Sequence, residues 1–156
     1  LLSRRQRQMC IRDSLSAYTS DGKITEEQLK MLIADMSAEY GKGNYVIGGG
    51  DFNKDLLGNS AAVFGVNGGD YTWAQPIPDG MFANTGLTLV VPEGKNGPVP
   101  TCRNADGPYN PEQYILTVDG FIVSDNVRAE NAEAIDTGFA YSDHNPISMT
   151  FTLMDR

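Results

Sequence analysis

The strongest constraint on the fold is a helical pattern that leads directly into a short strand. Its apolar residues follow the spacing i, i+3, i+4, i+7 and i+11: Leu29, Leu32, Ile33, Met36 and Tyr40. This spacing places them on one face, and we predict a helix over 25–40, with Thr25 and Gln28 as a capping box. The strand "NYVIG" (44–48) follows at once. Together they predict a layer in which the helix covers one face of a sheet.

The rest of the chain carries mainly strand and loop signals. Residues 54–113 are rich in Gly, Pro and Asn, and hold only two short strand candidates, at 71–74 and 87–91. Two further strands are predicted at 114–124 and 147–153, the second with half-buried alternation. With 156 residues, 40% of them apolar, the chain can bury the core of one domain. The sequence therefore predicts an α/β (α+β) fold.

The first fourteen residues differ from the rest of the chain. They carry four of the twelve basic residues without helical or strand periodicity, and "RQRQMCIRDS" resembles a translated sequencing adapter. A natural basic arm is the alternative. We predict that 1–14 is a non-native tract and that the domain spans 15–156. No apolar run is long enough for a membrane span, no secretory signal is recognisable, and the localisation is left open.

The acidic balance of the domain bears on its partners. Without the four arginines and Asp13 of the first tract, 8 Lys and Arg face 19 Asp and Glu, a net charge of −11. Such a surface repels polyanions and argues against non-specific duplex binding, although metal ions could offset the repulsion locally. Cys102 is the only cysteine outside the first tract, so no intrachain disulfide is expected.

A glycine-rich strand end presents the first candidate residues, Asp51 and Asn53. In extended backbone, residues two apart project to the same side, so both polar groups would face one way while Phe52 points to the core. The glycines at 48–50 would leave that edge open to a ligand. A carboxylate beside a carboxamide can bind a hard cation, accept a proton from water or donate to an oxyanion. A polar turn with local Asx hydrogen bonds explains the same residues equally well.

Two further segments carry candidate chemistry. Asp119 interrupts the apolar runs "ILTV" and "GFIV", so its charge needs a partner or a metal, unless a strand end exposes it. His144 is the only histidine and lies beside Asp143 in the loop "YSDHNPI". Histidine is the usual proton carrier near neutral pH, and a solvated loop histidine is the simpler alternative.

Three motifs, taken together, resemble a known superfamily. "GGDFN" (49–53), "TVDGFIVS" (117–124) and "SDHNPI" (142–147) are similar, in this order, to motifs of the endonuclease/exonuclease/phosphatase superfamily of metal-dependent phosphoesterases. The middle motif departs from the family at Gly120, where an aromatic residue or histidine is more common. The resemblance covers about residues 15–153 and implies the C-terminal portion of a four-layer α/β/β/α sandwich.

The resemblance also implies an activity and a role for each matched residue. The activity would be hydrolysis of a phosphoester or phosphodiester with Mg²⁺ or Mn²⁺. Asp51 would contact the metal and orient or deprotonate the attacking water, and Asn53 would hold a phosphate oxygen. Asp143 would bind the divalent ion. His144 would contact the phosphate and stabilise the transition state, with Asp119 supporting it.

Other features of the resemblance qualify this expectation. Arg103, in "PTCRN", is a further candidate phosphate contact. The metal-binding Asn and Glu of the family have no counterpart, and Ser14 stands where a strand-end histidine would lie. We therefore expect a fragment with little or no activity as it stands. The acidic charge favours a small or lipid-linked substrate. The alternatives are a nuclease of the same superfamily and a non-catalytic extracytoplasmic binding module.

Overall fold

The computed structural model describes residues 21–155 and shows a mixed α+β fold with small antiparallel sheets, which confirms the expected class. In chain order, the elements are α1 (Lys23–Gly41), β1 (Ile47–Asp51), α2 (Ser60–Phe64), β2 (Leu87–Val90), β3 (Cys102–Arg103), β4 (Ile115–Leu116), β5 (Asp119–Ser124), β6 (Val127–Ala134) and β7 (Ile147–Leu153). No helix in the described range is both long and apolar enough to span a membrane. The predictions for 1–14 and for Ser14 fall outside the described residues.

Helix α1 confirms the predicted helix but begins earlier than expected. Its buried apolar residues are Leu29, Ile33 and Met36. The predicted capping box is wrong, because the N-cap is Gly22 in the left-handed conformation and Thr25 is buried inside the first turn. The side chain of Asp21 instead accepts a hydrogen bond from the backbone N–H of Lys23 at 3.2 Å. The helix ends at Gly41, one residue beyond the predicted end.

A three-stranded antiparallel sheet in the order β1-β5-β2 packs against α1. The core between helix and sheet consists of Leu29, Ile33, Met36, Phe52, Leu87 and Ile122. Ile122 lies on the central strand and is fully buried. The predicted layer, with a helix covering one sheet face, is therefore confirmed.

A second core lies around the short pair β3 and β4. Its buried residues are Cys102, Tyr114, Leu116 and Val118. The predicted strand at 114–124 is divided into β4 and β5, which pair with different partners. The predicted strand at 71–74 is wrong, and that segment forms turns. Its Tyr71 ring stacks on Tyr114 with centroids 4.2 Å apart, so the segment is fixed by side-chain packing instead of strand pairing.

Strands β6 and β7 form a two-stranded antiparallel ribbon. Strand β7 confirms the prediction at 147–153, but two residues expected on its buried face, Phe151 and Leu153, are 47% and 42% exposed. Strand β6 has no counterpart in the prediction because half of the residues in its sequence, VRAENAEA, have charged or amide side chains and most of the others are alanine, a weak strand former. Its pairing is also irregular, with a register shift between Glu130 and Glu133.

Candidate active site

The register of β1 and β5 places two carboxylates opposite each other. Asp51 ends β1, Asp119 begins β5, and the two are direct partners in the antiparallel pair. Like charges in this position repel each other. The side chain of Asp51 is 34% exposed and that of Asp119 only 12%, so solvent can relieve the repulsion only in part. The pair therefore needs a nearby positive charge.

His144 supplies this charge. Its Nδ1 lies 2.7 Å from Oδ2 of Asp119, and its Nε2 lies 4.0 Å from Oδ2 of Asp51. The hydrogen bond to Asp119, and next to it the contact with Cys102, raise the pKa of His144 to about 11, although burial opposes the shift. At neutral pH His144 is consequently an imidazolium that donates Nδ1–H to Asp119. It cannot then act as a general base, but it can donate Nε2–H and stabilise negative charge.

The two oxygens of Asp51 have different surroundings. Oδ1 accepts a hydrogen bond of 2.7 Å from the backbone N–H of Asn53, while Oδ2 faces His144. Burial raises the pKa of Asp51, the charges of Asp119 and Asp143 add to this, and the Asn53 N–H and His144 oppose it. A carboxylate with a raised pKa is a stronger base than a solvated one, so Asp51 is suited to accept a proton from water.

Asn53 contacts Asp51 through its backbone N–H, in a conformation different from the one expected. Strand β1 ends at Asp51 and Asn53 has a φ of 49°, so the extended-backbone argument for this residue is wrong. The Asx hydrogen bond that the sequence left open is present. It uses only Oδ1 of Asp51 and leaves Oδ2 available. The expected burial of Phe52 is confirmed at 3% exposure.

The three glycines before Asp51 meet different surroundings. A Cβ at Gly48 would lie 3.2 Å from the Met36 side chain, and one at Gly49 would lie 2.6 Å from the Phe121 ring. Close packing therefore requires glycine at Gly49, whereas at Gly48 the flexible end of the Met36 side chain would have to shift by only a few tenths of an ångström. Gly50 has a φ of 145°, and a Cβ there would meet nothing within 4 Å. The expectation that the glycines leave open space holds for Gly50 alone.

The loop that carries Asp143 and His144 is attached to β3 through the backbone. Arg103 donates its N–H to the carbonyl of Asp143 at 2.9 Å, and Cys102 pairs with His144 in an isolated bridge. The side chain of Asp143 is partly exposed and accepts a hydrogen bond from Ser142 Oγ at 3.2 Å. These contacts bring the loop to the edge where β1 and β5 present their carboxylates.

Arg103 lies beside the site, but its guanidinium donates hydrogen bonds to carbonyls of the loop that follows it in the chain. Nη1 donates to the carbonyls of Asn104 and Gly107, both at 2.9 Å. Nε is buried and has no hydrogen-bond partner in the described part of the chain. A phosphate contact by Arg103 stays a prediction.

The two predicted metal ligands, Asp51 and Asp143, each have one carboxylate side chain. Within residues 21–155, no group of three or more His, Cys, Asp or Glu side chains is arranged to hold a metal ion. Asp51 and Asp143 are both partly exposed, and the charge of Asp143 acts on Asp51. Mg²⁺ is typically bound by one or two carboxylates together with water and substrate oxygens. The two residues therefore fit one side of a magnesium or manganese site by their chemistry.

Two residues near His144 were not among the predicted site residues. Cys102 contacts the imidazole, and burial raises the pKa of its thiol. Asn145 is 2% exposed, and its Oδ1 accepts hydrogen bonds from both the N–H and the hydroxyl of Thr137. Cys102 has no local sequence signal, whereas Asn145 lies within the motif "SDHNPI" (142–147) but was not assigned a role there.

The structure thus gathers Asp51, Asn53, Asp119 and His144 into one cluster, with Asp143 at its edge. The contact expected between Asp119 and His144 is present. No protein-family model, curated protein or solved structure matches this chain. The geometry and the electrostatics of the cluster are therefore the basis for assigning a function.

Proposed function

We propose that the site belongs to a divalent-metal-dependent phosphoester or phosphodiester hydrolase of the endonuclease/exonuclease/phosphatase superfamily. The observation that carries the proposal is the position of His144, 2.7 Å from Asp119 and 4.0 Å from Asp51. This arrangement places the imidazolium of His144, which stays charged at neutral pH, beside the carboxylate of Asp51, whose pKa is raised. Phosphoester hydrolysis uses both a positive charge and a base. The proposed fold is the C-terminal portion of a four-layer α/β/β/α sandwich, supported by α1 covering one sheet face.

His144 would act by its charge. Because Asp119 keeps the imidazole protonated at neutral pH, Nε2–H can donate to a phosphoryl oxygen. Negative charge that develops on that oxygen in the transition state would be stabilised in a partly water-excluded site. Asp119 would fix the ring orientation through Nδ1 and maintain the charge.

Asp51 would orient the attacking water and accept its proton. Its Oδ2 is not used by the Asx turn, and burial raises its pKa towards the range where a carboxylate is an effective base. The carboxamide of Asn53 can donate a hydrogen bond to a second phosphoryl oxygen. The open space beside Gly50 would admit the phosphate group.

A divalent ion held by Asp51 and Asp143 would polarise the phosphoryl oxygen as a Lewis acid. With two carboxylates from the described residues, we propose that Mg²⁺ or Mn²⁺ binds weakly and that the chain as it stands turns over slowly. The net charge of −8 favours a small or lipid-linked phosphoester over a polyanion such as duplex DNA.

Phosphate binding tests the proposal without depending on turnover. NMR of isotope-labelled histidine gives a single imidazole, because His144 is the only histidine. We expect inorganic phosphate added in the presence of Mg²⁺ to shift its resonances, and Asp143→Asn to weaken the shift. Asp136→Asn is the matched control, because Asp136 is exposed and its hydrogen bond to the Gly138 N–H can be kept by Asn. No shift at saturating phosphate would contradict the proposal.

Hydrolysis assays separate the alternatives. We expect little hydrolysis of bis(p-nitrophenyl) phosphate with Mg²⁺ or Mn²⁺. Robust turnover that His144→Ala abolishes would refute the expected low activity while supporting the function. Chelator-sensitive cleavage of plasmid DNA would assign the substrate to nucleic acid. Metal affinity and hydrolysis that are unchanged in Asp51→Ala and His144→Ala would instead indicate a binding module.

A further inference from the structure

One buried hydroxyl holds the backbone at the point where Asp119 enters β5. Thr101 is fully buried, and its Oγ1 accepts hydrogen bonds from the backbone N–H groups of Val118 and Asp119, both at 3.0 Å. A threonine hydroxyl has two acceptor lone pairs, so these two hydrogen bonds use both of its acceptor positions. The chain is between β4 and β5 here, and Thr101 supplies the acceptor at this break.

The backbone of the same residue holds the segment that carries His144. The carbonyl of Thr101 accepts a hydrogen bond of 2.8 Å from the N–H of Asn145, the residue after His144. The Asn145 side chain adds a second attachment next to Thr101, because its Nδ2 donates to the carbonyl of Pro100 at 2.9 Å. Thr101 is therefore joined directly to both halves of the Asp119–His144 pair.

We propose that Thr101 is a positioning residue that sets the distance between Asp119 and His144. Its side chain fixes the first and its carbonyl fixes the second, so a change in Thr101 alters their separation. Hydrogen bonds weaken steeply with distance and misalignment, and the 2.7 Å contact has little tolerance for displacement. The inference rests on the proposed function for its catalytic meaning, but it can be tested on the histidine itself.

The test compares three variants of buried threonines by the NMR signal of the Nδ1–H proton of the single histidine. Thr101→Val keeps the shape of the side chain and removes the acceptor, whereas Thr101→Ser keeps the hydroxyl. Thr117→Val is the matched control, because Thr117 is 1% exposed and its hydroxyl donates to the carbonyl of Val99 at 3.1 Å. We expect Thr101→Val to shift the Nδ1–H resonance of His144 upfield, because the 2.7 Å hydrogen bond to Asp119 lengthens. Thr101→Ser and Thr117→Val should leave this resonance unchanged.

The outcomes distinguish this inference from the proposed function. A folded Thr101→Val variant with an unchanged Nδ1–H resonance would overturn the role of Thr101 and leave the function standing. An Nδ1–H proton in the unaltered chain that exchanges as fast as that of a solvated imidazole would show no hydrogen bond to Asp119 and would overturn the function and the inference together. If Thr101→Val does not fold, hydrogen exchange of the backbone amides in the unaltered chain tests whether the hydrogen bond to Thr101 is present. Exchange at Asp119 as slow as at Ile122 supports the hydrogen bond to Thr101, and fast exchange overturns it.

Discussion

The sheet of β1, β5 and β2 and the ribbon of β6 and β7 differ in how they are covered. Helix α1 packs on the sheet, and Leu29 and Ile122 at their interface are fully buried. On the ribbon, Phe151 and Leu153 remain 47% and 42% exposed. Burial of apolar area is the main stabilising term in folding, so the sheet carries more of the stability than the ribbon.

The candidate site lies where these two regions meet. Asp51 and Asp119 belong to the covered sheet, whereas His144 precedes β7 of the ribbon. A two-stranded ribbon is marginally stable by itself, so the position of His144 depends on its attachments to the rest of the molecule. One attachment at the far end of β7 is the hydrogen bond of 3.0 Å from the Tyr45 hydroxyl to the carbonyl of Met154. The geometry of the candidate site is thus set by contacts between a well-packed and a thinly packed region.

Truncating one leucine in each region tests whether the sheet is better covered than the ribbon. This comparison should show the largest change in the free energy of unfolding. Leu29→Ala opens a cavity in the core under α1 and should lower the free energy of unfolding by about 2–5 kcal/mol. Leu153→Ala removes a half-exposed side chain and should cost less than about 1 kcal/mol. Urea denaturation followed by circular dichroism measures both. Equal losses would show that the ribbon is covered as well as the sheet.

Removing the positive charge of His144 should lower the free energy of unfolding, because the carboxylates of Asp51 and Asp119 then repel each other without compensation. His144→Ala should cost about 1–3 kcal/mol, because Asp119 loses a charged hydrogen bond and Asp51 loses a nearby positive charge. Asp51→Asn removes a partly buried charge and should stabilise the His144→Ala variant more than it stabilises the unaltered chain. A double-mutant cycle by denaturation measures this coupling. Strictly additive effects would contradict the electrostatic link between the two regions.

The smallest predicted effect, taken per pH unit, is a loss of stability with rising pH. Below about pH 6.5, His144 is protonated in both the folded and the unfolded chain. Between that value and its folded pKa of about 11, only the folded chain keeps the proton, so stability falls as pH rises. Because unfolding releases one proton in this window, the free energy of unfolding should fall by about 1.4 kcal/mol per pH unit. The His144→Gln variant should show a flatter profile, and equal slopes would contradict the assignment.

Elements with a strong local pattern were predictable from the sequence. The helical spacing of Leu29, Ile33 and Met36 gives α1, and the alternation in 147–153 gives β7. The candidate residues Asp51, Asp119 and His144 stand out because each is a polar group beside an apolar strand. The structure brings them together, since the register of β1 and β5 places both carboxylates next to the loop of His144.

Features that depend on distant contacts were not predictable. The segment at 71–74 has strand composition but is fixed by the stacking of Tyr71 on Tyr114. Strand β6 consists mainly of alanine and of charged residues, which give no strand signal, and it is paired with β7. Thr101 has no local signal either, because its hydroxyl meets the amide of Asp119, a residue 18 positions later in the chain, through the tertiary fold.

The pKa of His144 tests the central claim most directly. NMR titration of labelled histidine in the unaltered chain should give a value near 11, because Asp119 stabilises the imidazolium. In Asp119→Asn the value should fall towards the ordinary one of about 6.5. A His144 pKa near about 6.5 in the unaltered chain, or one that Asp119→Asn leaves unchanged, would contradict a charged Asp119–His144 pair at the site.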